Sequence, residues 1–65
     1  MRISVNGETR EVGAATLGAL LDELGYGDAV VATALNKEFV RGKDRDAAPL
    51  REGDAVEIVG PRQGG

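Results

Sequence analysis

Sixty-five residues hold one domain at most, and a single core of that size leaves only about 3–5 kcal/mol of net stability. The chain contains no cysteine and no histidine, which excludes disulfide staples, thiolate metal sites and the commonest general base and metal ligand. A net charge of −3 with acidic and basic residues interspersed excludes the basic surface that nucleic acid and anionic membranes select.

The opening stretch MRISVNGE carries no apolar signal region, and no run approaches the length of a membrane span. The expectation is a soluble, cytoplasmic protein. Ile3 and Val5 alternate with Arg2 and Ser4, the period-2 mark of a half-buried strand. Asn6-Gly7 is a strong two-residue turn signal, because both residues tolerate positive φ. A second strand is expected from about Glu8 to Val12.

The stretch TLGALLDELG predicts a helix. Thr16 supplies an N-cap hydroxyl. Leu17, Leu20, Leu21 and Leu24 fall at i, i+3, i+4 and i+7 and form one apolar stripe. Asp22 and Glu23 point away from it as solvated surface. Gly25 sits where a left-handed C-cap glycine belongs. Gly18 weakens a helix interior by about 1 kcal/mol relative to alanine, and close approach to a sheet is the reason expected for it.

VVATALN is apolar on both faces and β-branched at Val30, Val31 and Thr33, so a strand covered on more than one side is expected. Asn36-Lys37-Glu38 makes a turn and EFV a short strand. RGKDRDAAP reads as a polar, solvated loop. Leu50 plugs the core, and Glu52-Gly53-Asp54 turns the chain. AVEIV is the last strand, with Val56 and Ile58 on one face and Ala55, Glu57 and Val59 on the other. Pro61 ends strand pairing, because it has no N–H to donate.

The order implies an α+β domain over residues 1–59, with one helix packed across a mixed sheet of four to five strands and a flexible Gly-Gly tail over 60–65. The first and last strands are expected as parallel neighbours at the sheet centre. The expected core is Ile3, Val5, Leu17, Leu20, Leu21, Leu24, Phe39, Leu50, Val56 and Ile58.

No catalytic constellation and no metal-ligand set is legible. No Ser–His or Cys–His pair exists, and the glycines form neither a G-x-x-x-x-G-K-[ST] nor a G-x-G-x-x-G phosphate loop. A domain of this size is also too small to enclose a typical ligand pocket and keep its core. The reading is therefore a substrate or partner of enzymes, not an enzyme, with no cofactor bound.

The closing stretch GPRQGG is where chemistry is expected. Fully extended, residues 60–65 reach about 20 Å. Pro61 stiffens the root, while Gly64 and Gly65 remove side-chain bulk from the tip. Such an end threads a narrow channel. Its carboxylate is ionised at neutral pH, given a free α-carboxyl pKa of about 3.3–3.7. A carboxylate is a poor electrophile and needs activation, typically as an acyl-adenylate. Val59, apolar and beside the tail, marks a sheet face that partners are expected to grip, together with Gly60, Pro61, Arg62 and Gln63.

With TLGALLDELG, ALNKEFV and EGDAVEIVGPRQGG in view, the whole chain resembles the ThiS family of thiamine-biosynthesis sulfur carriers, in the β-grasp, ubiquitin-like superfamily. The family often follows the short strand with proline and arginine, whereas Arg41-Gly42 follows Val40 here. The resemblance implies a β-grasp fold and a carrier role. An E1-like, ThiF-like adenylyltransferase would adenylylate Gly65 using ATP. Sulfur from a cysteine desulfurase system would displace AMP, leaving a thiocarboxylate. A ThiG-like thiazole synthase would then take the sulfur. The lack of any thiol agrees, since a sulfur carrier of this composition must use its terminus. A molybdopterin-synthase small subunit, a ubiquitin-like modifier and a non-covalent β-grasp interaction module remain as alternatives.

Overall fold

The computed structural model describes residues 1–60. The expectations for Pro61, Arg62, Gln63, Gly64 and Gly65, including a flexible tail, lie outside the described residues. Chain order is β1 (Arg2–Val5), β2 (Glu8–Glu11), α1 (Leu17–Glu23), β3 (Ala32–Leu35), β4 (Glu38–Val40), a 3-10 helix (Gly42–Ala47) and β5 (Ala55–Val59). The strands form one mixed sheet in the order β2-β1-β5-β3-β4. β1 and β5 run parallel at its centre, with Ser4 beside Ala55 and Val5 beside Val56. β1/β2, β3/β4 and β3/β5 are antiparallel. This is the β-grasp arrangement. No helix among the described residues is long and apolar enough to cross a membrane.

Two asparagines open the two hairpin turns. Asn6 and Asn36 take φ of 51° and 52°, followed by Gly7 and Lys37, also at positive φ. Such turns match the right-handed twist of the strands they join. The helix begins and ends as its sequence dictates. Thr16 accepts a hydrogen bond from the Ala19 N–H at 3.1 Å. At the other end Gly25 lies at φ 89°. Its N–H donates to the Asp22 carbonyl, and the Tyr26 N–H donates to that of Leu21, which is the Schellman pair of bonds.

The core lies between α1 and one face of the sheet. Leu17, Leu20 and Leu21 pack with Ile3, Val5, Val56 and Ile58, and Leu50 closes one end. Val12 and Ala14, just past β2, are also buried, and Leu24 is half-buried. Thr33 is the one buried polar residue among those described. Its hydroxyl donates to the Val40 carbonyl at 2.8 Å and accepts from Arg45 Nε at 3.0 Å, so its polarity is satisfied.

Four expectations need correction. Phe39 is not core: it is 69 % exposed. Phe39 pairs with Ala34, whereas Thr33, on the helix side, pairs with Val40, and a one-residue shift reverses the face of every side chain. Val30 and Val31 precede β3 instead of forming part of it, and Val30 is 80 % exposed. The polar loop after β4 is a 3-10 helix, tied down by Arg45 Nη2, which donates to the Val31 carbonyl at 2.6 Å. Gly18 faces that helix, not the sheet. A Cβ there would overlap the Asp46 carboxylate and come within 3.3 Å of the Asp46 backbone nitrogen.

Candidate functional site: the open sheet face and the end of the central strand

β5 alternates as its sequence requires. Val56 and Ile58 are buried beneath α1, while Ala55, Glu57 and Val59 face out. Val59 is 62 % exposed. Its neighbour across β3 is Ala32; Glu57 lies beside Ala34, and Ala34 beside Phe39. Two alanines thus form a low floor, with Phe39 and Val59 standing above it. Together with Glu57, and with Asn6 and Thr33 at its border, they line a shallow depression of about 430 Å³ on the face away from the helix. The surface is apolar with a single carboxylate, a composition suited to docking a protein and not to chemistry.

The depression adjoins the point where the chain leaves the sheet. Gly60 directly follows Val59, and a Cβ on it would sit 3.9 Å from Val31 Cγ1. Val59 and Gly60 are therefore placed together at the rim. Pro61, Arg62, Gln63, Gly64 and Gly65 continue beyond the described residues.

The end of β5 is held by contacts the sequence did not announce. Asn6 Oδ1 accepts from the Ile58 N–H at 2.8 Å, and Asn6 Nδ2 donates to the Ile58 carbonyl at 3.1 Å. At the start of the strand, Asn36 Oδ1 accepts from the Ala55 N–H at 2.9 Å, and Nδ2 donates to Asp54 Oδ1 at 3.1 Å. Both residues were legible only as turn formers. Nothing in the local pattern marks a side chain that reaches across 52 residues of sequence. Among the described residues no cluster of acidic side chains is placed to hold a metal, and every buried side-chain polar atom has a partner.

The ThiS family matches this chain over residues 3–65. A curated relative, the sulfur carrier protein ThiS of Thermus thermophilus, is 43% identical over 61 residues, covering 94% of this chain and 95% of that protein. The crystal structure of the thiamine biosynthesis protein ThiS from Geobacter metallireducens superposes with a TM-score of 0.82 at 35% identity, covering 100% of both chains. A solution structure of a thiamine biosynthesis protein from the same organism gives 0.80 at 32% identity, covering 100% of this chain and 88% of the other.

Proposed function

The chain belongs to the ThiS family, and we propose that it carries sulfur for thiamine biosynthesis as a thiocarboxylate on Gly65. The observation that carries this reading is the extent of the match, which runs through the last strand to the glycine at position 65. The geometry supports it. β5 ends at Val59, beside an apolar face a partner can hold.

The chemistry follows from what a carboxylate lacks. An oxygen of Gly65 attacks the α-phosphorus of ATP on an E1-like, ThiF-like enzyme, and pyrophosphate leaves. The acyl-adenylate is a good electrophile, and glycine has no Cβ to shield it. A desulfurase takes sulfur from cysteine as a protein persulfide, whose outer sulfur adds at the acyl carbon and expels AMP. A second thiol then attacks the inner sulfur of the resulting acyl disulfide, forming a disulfide and releasing the thiocarboxylate. A ThiG-like thiazole synthase consumes the thiocarboxylate. This chain's part is to present the terminus, with Gly64 thin enough to thread a channel. Val59, Gly60, Pro61, Arg62 and Gln63 are the positions the two enzymes grip.

Deleting Gly65, or adding one residue after it, tests the reading through pyrophosphate exchange with the cognate activating enzyme. Deletion draws the carboxylate back by about 3.5 Å, and reacting groups tolerate an error of only about 1 Å before rates fall roughly 100-fold. Extension replaces the carboxylate with a neutral amide. Both variants are expected to lose exchange. A truncated protein that exchanges at the parental rate would remove Gly65 from the chemistry and leave a non-covalent interaction module.

A further inference from the structure

β5 is supported unequally along its two sides. On the β3 side it is paired from Val56 to Val59. On the β1 side, pairing covers only Ala55 and Val56. There the carbonyls of Asp54 and Val56 accept from the Ser4 and Asn6 N–H groups, both at 2.9 Å. Backbone groups alternate sides along a strand, so Ile58 is the next residue to face β1. The first strand has by then turned away at Asn6 and Gly7. The primary amide of Asn6 fills the gap, accepting from the Ile58 N–H and donating to its carbonyl. A primary amide carries both N–H donors and a carbonyl acceptor, and one of each is used on Ile58, so the side chain acts as one further rung of the ladder.

We propose that Asn6 is a positioning residue for the transfer reaction: its amide clamps the end of β5 and so fixes where Gly60 stands relative to the docking face around Val59. The assignment rests on the carrier reading above. A partner that grips this face and receives the terminus in a channel needs a constant distance between the two. Without the Asn6 amide, Ile58 loses its hydrogen bonds on the β1 side, and the last two residues of β5 are held by β3 alone. Strand ends held on one side open readily. The terminus of the docked carrier would then reach the reacting position less often.

Asn36 supplies a matched control. It has the same φ, occupies the same place in its turn and bonds the same strand, but at Ala55, the end remote from Gly60. Glycine tolerates positive φ, so Asn6→Gly and Asn36→Gly each remove an amide while keeping a turn. Three readings are taken on the parent and both variants: melting midpoint, amide exchange at Ile58 by NMR, and pyrophosphate exchange against carrier concentration.

Both variants are expected to lose a similar amount of stability. Only Asn6→Gly should speed Ile58 amide exchange, by about tenfold or more. Only Asn6→Gly should lower kcat, by about tenfold. Because Asn6 also borders the docking depression, kcat at saturating carrier, not KM, is the reading that carries the assignment. Three results would overturn the assignment: parental kcat with Ile58 deprotected, Ile58 still protected in Asn6→Gly, or equal kcat losses in the two variants. Absence of exchange by the parent protein is the separate outcome that removes the carrier reading, and the assignment with it.

Discussion

Glu23 lies on the exposed side of α1, yet its carboxylate accepts from the Gly13 and Ala14 N–H groups, the shorter bond being 2.9 Å. It fastens the β2–α1 connection to the helix. Gly18 has a similar hidden reason, because its missing side chain is the space that Asp46 occupies. Alanine at an exposed helix position normally stabilises by about 1 kcal/mol over glycine. At position 18, crowding of about 1–3 kcal/mol opposes that gain. Gly18→Ala is therefore expected to lower the melting midpoint, and a rise would show that the 3-10 helix yields freely. Glu11 provides a pH signature. A hydrogen bond from the Met1 ammonium at 3.0 Å and then that group's charge hold its carboxyl below the usual carboxylate range; desolvation opposes them, and the charge of Arg2 adds a lesser lowering. A lowered folded value means that this contribution to stability is complete above the unfolded pKa of about 4.3 and is lost as pH falls through the folded value. Glu11→Gln should bring the midpoint down slightly at neutral pH and meet the parent curve in acid. A gap of constant size across pH would assign the loss to something other than charge. Strong salt should shrink the neutral-pH gap, since the pair is exposed.

At the scale of elements, much was legible because the determinants are local. The Asn6-Gly7 turn, the Thr16 cap, the leucine stripe and the Gly25 stop each lie within a few residues of what they specify. The alternation in AVEIV separates buried Val56 and Ile58 from exposed Val59, and the structure keeps that separation. Phe39 was misread because β4 has only three residues. EFV satisfies alternation with either Phe39 or Val40 inward. The choice is made by register with β3 across the Asn36-Lys37 turn, which places Val40 opposite buried Thr33. Bulk alone favoured phenylalanine for the core, and register overrode it. The two faces of the sheet should therefore answer differently to substitution. Leu20 is fully buried, and Leu20→Ala should cost about 2–5 kcal/mol. Against a total of about 3–5 kcal/mol, that leaves much of the protein unfolded in a denaturant titration. Val59→Asp should leave the midpoint and circular dichroism nearly unchanged while weakening complex formation with the activating enzyme. Phe39→Ala, on the same patch, should behave likewise. A large fall in midpoint for Val59→Asp would mean that this face is structural.

At the scale of the whole molecule, the fold is a scaffold around its central strand. β5 has β1 on one side and β3 on the other, α1 beneath it and an open apolar face above. Both turn asparagines spend their side chains on it. The parallel β1/β5 pairing was legible from element order, because a helix between two strands returns the chain in the same direction. The asparagine bridges were not, because they join positions that only the finished sheet brings together. The role proposed for the terminus comes from composition and resemblance: a sequence with no thiol in which two glycines stand at positions 64 and 65. The central claim is that Gly65 bears the sulfur. Its most direct test is intact-mass and peptide mass spectrometry after incubation with ATP, the cognate activating enzyme and a cysteine-derived sulfur source. The account predicts one oxygen exchanged for one sulfur, confined to the peptide that ends at Gly65. An unchanged mass under conditions where the enzyme activates its carrier, or sulfur found on any other peptide, would contradict it.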